Sequence, residues 1–429
     1  MIIIKDKANC CGCEACVQVC PKHCISFEPD SEGFYYPKVE KEGCVNCGLC
    51  EKVCPVINTN NKRSPLVSMA AMNKNENERI KSSSGGIFIL LATYVINNGG
   101  IVFGAKFDDD FSVIHSYTDT IEGITPFLGS KYVQSRIGNN YLKAQEFLKA
   151  GRLVLFSGTP CQISGLKKFL RKDYDKLITV DVICHGVPSP AVWQQYLEEI
   201  KDNARKGENS VSLPLNPPIS GCDAFASGRE VKIEGITFRD KRLGWKKFSF
   251  ALTLAEATAD GKKNTVSLSH IHDNDPYFLG FNDYNLYLRP SCMKCPTRDL
   301  KSGSDITLAD FWNIESLLPD FDDDKGVSVV LANTEKGVKI VDSLKLNRRS
   351  VSYQDVVCRN TSIKYNSKPL PSSIFDIIKY KVHFNSKRDY FFYDKNNTVS
   401  TRVKILGRPS LKSILLNIVR VIYHKLFRG

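Results

Sequence analysis

Ten of the sixteen cysteines in this 429-residue chain fall before residue 55, and eight of those ten repeat one spacing. Residues 10–21 read CCGCEACVQVCP and residues 44–55 read CVNCGLCEKVCP, each a C-x-x-C-x-x-C-x-x-x-C-P run. Such a run gives three thiolates to one iron–sulfur cubane, while the fourth cysteine, turned away at the proline, serves the other cluster. The spacing therefore predicts one 4Fe–4S cluster on Cys10, Cys13, Cys16 and Cys54, and a second on Cys44, Cys47, Cys50 and Cys20. Paired zinc knuckles would need neither four cysteines per motif nor the doubled Cys-Pro. Cys11 and Cys24 lie outside the pattern and read as spare thiols.

Four later cysteines form a second pattern. In FSGTPCQISGLKKFL (156–170) an apolar strand ends, Gly158 and Pro160 turn the chain, and Cys161 opens a helix. In VDVICHGVPSP (180–190) the next strand ends at Cys184. A strand, a helix and a second strand at this distance predict a βαβ unit, which brings both cysteines to the carboxyl edge of a parallel sheet. Cys292 and Cys295 form a C-x-x-C hook in RPSCMKCP, on a loop before the strand-like SDITLADF. Two plus two gives one four-thiolate site, open between a third 4Fe–4S cluster, a structural zinc and a redox dithiol. Cys222 and Cys358 read as packing residues.

Two polar segments suit an anionic ligand. Ser82–Ser83–Ser84–Gly85–Gly86 precedes an apolar helical run, and small residues at a helix start leave N–H groups and hydroxyls free. LGSKYVQSRIG (128–138) interleaves Lys131, Tyr132 and Gln134. Neither segment is a GxGxxG or a Walker A loop, so a Rossmann dinucleotide site or an ATPase has no support.

The elements that must position these residues alternate between strand and helix signals. IVFGAKF (101–107), RLVLFSG (152–158) and ITVDVIC (178–184) read as buried strands, while NNYLKAQEFLKA (139–150) and VWQQYLEEI (192–200) have helical spacing. NTNNKRSP (58–65) reads as a linker, and residues 205–230, rich in Ser, Pro and Gly, as an irregular excursion. The expected fold is α+β. A small two-cluster ferredoxin-type domain (1–60) precedes a larger α/β flavin-binding domain (61–150 and 151–340), and a helical, basic C-terminal tail (341–429) follows.

Composition sets the outer limits. Hydrophobic residues at 42% and charged residues at 24% exclude disorder, collagen and a multi-span membrane protein. No secretory signal pattern opens the chain, and a reducing cytoplasm suits sixteen cysteines kept for metal rather than disulfides. Residues 1–60 carry a net charge of −2 and the remainder +15. Residues 395–429 hold eight Lys and Arg and no acid. No nucleic-acid motif accompanies this charge. Leu411, Ile414, Leu415, Ile418, Ile422 and Leu426 form one apolar stripe, which predicts an interfacial helix making peripheral contact with the inner face of the cell membrane.

The cysteine-rich region resembles the bacterial two-cluster ferredoxins. With SSSGG, GSKYVQSR, FSGTPCQISGL, DVICHGVPSP, FRDKRLGW and LRPSCMKCP…SDITLADFW, residues 5–340 resemble the coenzyme F-420 hydrogenase/dehydrogenase beta-subunit family in its ferredoxin-fused bacterial form. The resemblance implies FAD in the large domain and Cys161, Cys184, Cys292 and Cys295 as ligands of a third 4Fe–4S cluster. It also implies a flavin region at Ser83, Ser84, Gly85, Gly86, Ser130, Lys131, Tyr132 and Gln134. His185 reads as a structural hydrogen-bonding residue, and Asp310 and Trp312 as packing near the flavin. The expected function is an FAD-dependent iron–sulfur oxidoreductase that exchanges electrons with a protein such as ferredoxin and acts on a small-molecule substrate or a deazaflavin-type coenzyme. The alternative is a non-catalytic electron-transfer subunit docking on a partner enzyme, with polysaccharide biosynthesis as one setting.

Overall fold

A computed structural model describes residues 1–205, 231–257, 263–272, 275–283, 285–367, 382–384, 389–393 and 399–404. Cys222, nearly all of the expected 205–230 excursion and the expected amphipathic helix after Pro409 lie outside these residues. The chain forms two compact units: Met1–Gln194 with Thr237–Ser249 and Leu288–Lys368, and Gln195–Ile236 with Phe250–Tyr287 and Pro369–Gly429.

The first unit begins with a cysteine-rich module. Strands β1 (Ile25–Pro29) and β2 (Tyr35–Val39) pair antiparallel, and α1 (Ala15–Gln18) and α2 (Leu49–Lys52) are single turns. The repeat visible in the sequence is also a backbone repeat. Gly12 and Asn46 have φ of 72° and 50°, and Glu14 and Gly48 have φ of 59° and 71°. Matching positions of the two cysteine runs thus turn through the left-handed region, which curls each run around a centre.

The sheet of this unit has eight strands: β3 (Val67–Asn73), β4 (Ile101–Phe107), β5 (Val113–Thr118), β6 (Val154–Gly158), β7 (Leu177–Val182) and, further along the chain, three labelled β11 (Ile306–Asp310), β12 (Ser328–Ala332) and β13 (Leu346–Ser350). Their order is β13-β3-β12-β11-β7-β6-β4-β5. The four central strands β11, β7, β6 and β4 run parallel, and antiparallel strands flank them. Central parallel strands are covered on both faces, which is why they read as unbroken apolar runs. Successive residues point to opposite sides. Ile101, Phe103, Val154 and Phe156 pack with α5 (Asn140–Lys149) and α6 (Pro160–Leu170). Val102, Leu155, Ile178 and Val180 pack with α4 (Ile87–Asn97) and α9 (Glu335–Ser343) on the other face. Two short helices, α3 (Glu76–Lys81) and α10 (Tyr353–Arg359), complete this unit, and Val356 and Val357 of α10 join a core with Trp245, Phe311 and Val329. Residues 58–66 are coil as the sequence predicts, but they are fastened: Asn60 Nδ2 donates to Lys301 O (2.8 Å) and Arg63 Nη2 to Asn333 O (3.0 Å).

The second unit receives part of α7 (Pro190–Arg205) and of β8 (Val231–Asp240), with β9 (Ser249–Ala257), β10 (Lys263–Ile271) and α8 (Pro276–Asn282). Asp275 caps α8 through Phe278 N (2.7 Å) and accepts from Tyr196 OH (2.6 Å), beside the stacked rings of Tyr196 and Tyr277. Strands β14 (Val382–Phe384), β15 (Asp389–Tyr393) and β16 (Val399–Lys404) form an antiparallel sheet of their own.

Candidate functional site

The eight cysteines of the repeated runs line two cavities, and each run sends its last cysteine to the other's cavity. Cys10, Cys13, Cys16 and Cys54 line a space of ≈ 300 Å³, with Cys11 among its walls. Cys20, Cys44, Cys47 and Cys50 line one of ≈ 360 Å³, with Cys24 beside them. The inner set is sheltered: Cys13, Cys16 and Cys54 are buried, and burial pushes Cys16 and Cys54 above the ordinary thiol range. In the outer set Cys47 is exposed. Burial also acts on Cys20, but the backbone N–H groups of Cys24, Lys22 and His23 aim at its sulfur and hold it below its ordinary value. None of the fifteen described cysteines is in a disulfide.

The third set is assembled by the parallel strands. Strand β6 ends at Gly158, and α6 starts with Pro160 at its first position and Gln162 Oε1 reaching back to Thr159 N (2.9 Å). That start presents Cys161, whose Sγ lies 3.2 Å from Thr159 Oγ1. Cys184 follows the end of β7, while Cys292 and Cys295 sit on and just after the turn Pro290–Lys294. A bridge between Pro188 and Leu288 ties the two loops, Val187 N donates to Cys292 Sγ (3.4 Å), and Cys295 Sγ meets Thr297 Oγ1 (3.3 Å). Arg298 clamps the backbone, donating to Cys184 O and to His185 O (2.9 Å). His185 thus has a structural part through its carbonyl. Burial raises Cys184 and pushes Cys292 up to about 12, and each of the two feels the charge of the other and of Cys161 and Cys295. Four buried thiols that resist ionisation become ligands only if a cation takes their charge, so the donor set fits a metal centre.

Cys11 is not a spare thiol. It hydrogen-bonds with both Cys13 and Cys161, so it touches a member of the inner set and a member of the third. Helix α6 comes close because residue 165 is glycine: a Cβ there would lie 2.9 Å from Cys13 Cβ and 3.0 Å from its Sγ. Cys24 lies against the outer set, its Sγ 3.5 Å from Cys20 Sγ.

The two polar segments meet through Ser83 and Ser130: Ser83 Oγ accepts from Ser130 N (2.7 Å) and from Ser130 Oγ (2.9 Å). Ser84 Oγ donates to Val327 O (3.0 Å) and Gly85 N to Ser328 Oγ (2.9 Å). Gly86, with φ of 77°, stands at the head of α4. Lys131 Nζ donates to Pro126 O and Leu128 O, each at 2.8 Å, and burial pulls its pKa down to about 7. Tyr132 packs edge-on against Phe238. Gln134 does not join the group; its Oε1 accepts from Arg289 Nη1 (2.9 Å) next to the inner cysteine set.

Sequence reasoning missed two arginines. Arg239 lies in the resemblance-bearing FRDKRLGW, is 5% exposed, pairs with Asp310 and lies over the rings of Phe248 and Trp312. Its Nε and Nη2 are buried without a hydrogen-bond partner. Asp310 also accepts from Trp245 Nε1 (3.0 Å), and Trp245 stacks on Trp312. Arg289 stands three residues before Cys292, and its cost in burial cannot be read from a one-letter string.

Comparison with known proteins follows the same division. A 4Fe-4S dicluster domain model matches residues 9–58. The family model for the C terminus of the coenzyme F420 hydrogenase/dehydrogenase beta subunit matches residues 151–206 and 216–352. A search of curated proteins finds no match. Among solved structures, a chain of the xenon-derivatised F420-reducing [NiFe] hydrogenase complex from Methanosarcina barkeri is 16% identical, with 70% of this chain and 91% of that chain covered and a TM-score of 0.40. The family resemblance carried by the motifs therefore holds: the chain is an iron–sulfur electron-transfer protein related to the F420 hydrogenase beta subunit.

Proposed function

We propose that the protein is an iron–sulfur flavoenzyme that carries electrons between an external low-potential donor protein and a bound FAD, three 4Fe–4S clusters forming the path. The observation that carries this reading is the unbroken run of cysteine sites, from exposed Cys47 through the inner cavity and Cys11 to Cys161. When bound, the cubanes supply single-electron relays and the flavin supplies exchange between hydride and single electrons. The protein's own residues do the rest. Cys47 gives the outer set its access to a donor. Arg298, Val187 and Thr159 fix the loops that present the third set. For that set a cubane is favoured over zinc. Tetrahedral zinc needs sulfurs ~3.8 Å apart, from Zn–S of ~2.3 Å, and among the described residues no three His, Cys, Asp or Glu are arranged for a single ion.

Support for FAD comes from the joined Ser83 and Ser130 segments and from Arg239, whose two orphaned N–H groups beside Tyr132 suit an anionic or carbonyl-bearing ligand. Gly85 is unsuited to testing this placement, because any side chain there would strike Ala71 O at 2.6 Å and Ser328 N at 2.8 Å. Arg239→Met is the better probe: it is expected to lower flavin content while iron content stays. Anaerobic analysis of the full chain is expected to give about 12 iron atoms, four per cubane. Iron near eight with stoichiometric zinc would restore the zinc reading. The match to a beta subunit favours a second reading, an electron-transfer subunit that docks on a partner enzyme. Turnover of a soluble acceptor by the isolated chain separates the two. Among the described residues no helix is long and apolar enough to cross a membrane. Peripheral contact through residues 411–426 is tested by flotation with anionic liposomes.

A further inference from the structure

Arg289 is 0% exposed and makes no ion pair with a carboxylate among the described contacts, yet a guanidinium does not give up its proton inside a protein. Its donors go to neutral groups and to one sulfur. Nε donates to Cys10 O (2.7 Å), Nη1 to Gln134 Oε1 (2.9 Å), and Nη2 to Tyr35 O (2.9 Å) and to Cys10 Sγ (3.5 Å). The ring of Tyr36 lies 4.3 Å from its Cζ and that of Phe34 5.4 Å away. Gly12 makes room, since a Cβ at that position would sit 2.9 Å from the Arg289 Cζ. The backbone of the same residue belongs to the third cysteine set: Arg289 N donates to Val187 O (2.9 Å), and Cys292 N donates to Arg289 O (2.9 Å). A buried charge needs a counter-charge. The group in reach that becomes negative on ligation is the Cys10 sulfur. At the matching position of the second run, Cys44 Sγ faces the neutral amide of Asn46 at 3.8 Å. The two runs are alike in sequence and unlike in charge.

We propose that Arg289 is a positioning residue that holds a permanent positive charge on Cys10 and so raises the reduction potential of the inner cluster above that of the outer one. This rests on the cluster reading given under the proposed function. Reduction adds one electron and no proton, so the reduced cluster is one charge more negative and gains more from the fixed cation. Hydrogen bonds and charge at the sulfurs are among the levers that set such potentials. The consequence is direction: an electron entering at the exposed outer set is drawn inward, toward Cys11 and Cys161.

The test is an anaerobic redox titration of the full-length holoprotein, followed by electron paramagnetic resonance, with Arg289→Gln, Arg289→Lys and Gln134→Glu. In Arg289→Gln one reduced-cluster signal is expected to fall by at least about tenfold in its equilibrium constant, which is about 59 mV for a one-electron couple. The other signals should stay in place. Arg289→Lys, which keeps the charge, should recover most of the shift. Gln134→Glu leaves the arginine in place and sets an acid 2.9 Å from Nη1, so it should move the same signal in the same direction at full iron content. Unchanged potentials in an iron-replete Arg289→Gln or Gln134→Glu protein overturn the proposal. If Arg289→Gln fails to load iron, Gln134→Glu decides alone. A wild-type protein with no paired cluster signals overturns the cluster reading itself, which is a separate and visible failure.

Discussion

His115 is 4% exposed, with Nε2 3.1 Å from Ser157 O and Nδ1 3.1 Å from Ser135 Oγ. A carbonyl only accepts, so the ring proton sits on Nε2 and Nδ1 accepts from the serine hydroxyl. Burial pushes the pKa down to about 4. The unfolded chain takes up a proton near pH 6.5 and the folded chain only near 4, so the stability is fully present above 6.5 and is lost as pH falls through that window. Between pH 7 and 5 the loss from this one group is about 2 kcal/mol at 1.36 kcal/mol per unit. His115→Gln is expected to be less stable at pH 7 and to lose less on acidification; parallel slopes of urea midpoint against pH for the two proteins would contradict this. A second residue-scale prediction concerns Gly165. Alanine there would meet Cys13 Cβ at 2.9 Å and Tyr141 OH at 3.1 Å, forcing α6 off the inner cysteine loop. Iron per chain is expected to drop by about one cluster, four atoms, with a lower thermal midpoint; full iron content at unchanged Tm would show that the contact is slack.

Helix α5 shows how an element can be legible while its anchoring is not. The 139–150 window has helical spacing, and the helix is there, but Asn139 makes no side-chain cap. The cap comes from α1: Gln18 Oε1 accepts from Tyr141 N (3.0 Å) and Leu142 N (3.2 Å). Just before it, Glu14 Oε1 and Oε2 accept from Ile137 N (2.7 Å) and Gly138 N (3.0 Å). No local pattern can announce a partner some 120 residues away. The same limit explains the sheet. The strands β4, β6 and β7 and the placement of Cys161 and Cys184 at their ends follow from apolar runs and turn residues. The flanking antiparallel strands β3, β12 and β13 are set by tertiary pairing that spacing does not encode. The cysteines were legible because their chemistry fixes their spacing; Arg289 and Arg239 were not, because their meaning depends on being buried. Gln18→Ala removes an acceptor shared by two N–H groups at a helix start and is expected to cost about 1 kcal/mol. A denaturant midpoint within error of the wild type would mean that water replaces the cap at no cost.

At the scale of the whole molecule, the cysteine-rich module shares its packing with the large sheet. Ala15 and Val53 lie in one apolar cluster with Tyr141, Ile163, Leu166 and Phe169. Polar fastenings run alongside: Arg289 to Cys10 and Tyr35, Glu14 to residues 137 and 138, Gln18 to α5, and Lys168 to Asn60. A chain shortened to begin at Asn61 would therefore lose more than an electron wire. It would uncover the apolar face of α5 and α6 and strip the guanidinium of Arg289 of three of its four acceptors. A buried charged donor left without partners costs more than the ~1–3 kcal/mol of a neutral one, against a net stability of ~5–15 kcal/mol for a typical domain. Water reaching the site can offset part of the polar loss but none of the apolar exposure. The shortened chain is accordingly expected to aggregate on expression and to bind no flavin. The full-length chain with Cys47 and Cys50 both changed to Ser, which disturbs only the outer set, should remain monomeric and keep its flavin. Sedimentation and absorbance of the two proteins side by side make the comparison. A monomeric shortened chain melting within a few degrees of the full-length protein would show that the large domain stands alone and that these contacts serve electron transfer without holding the fold.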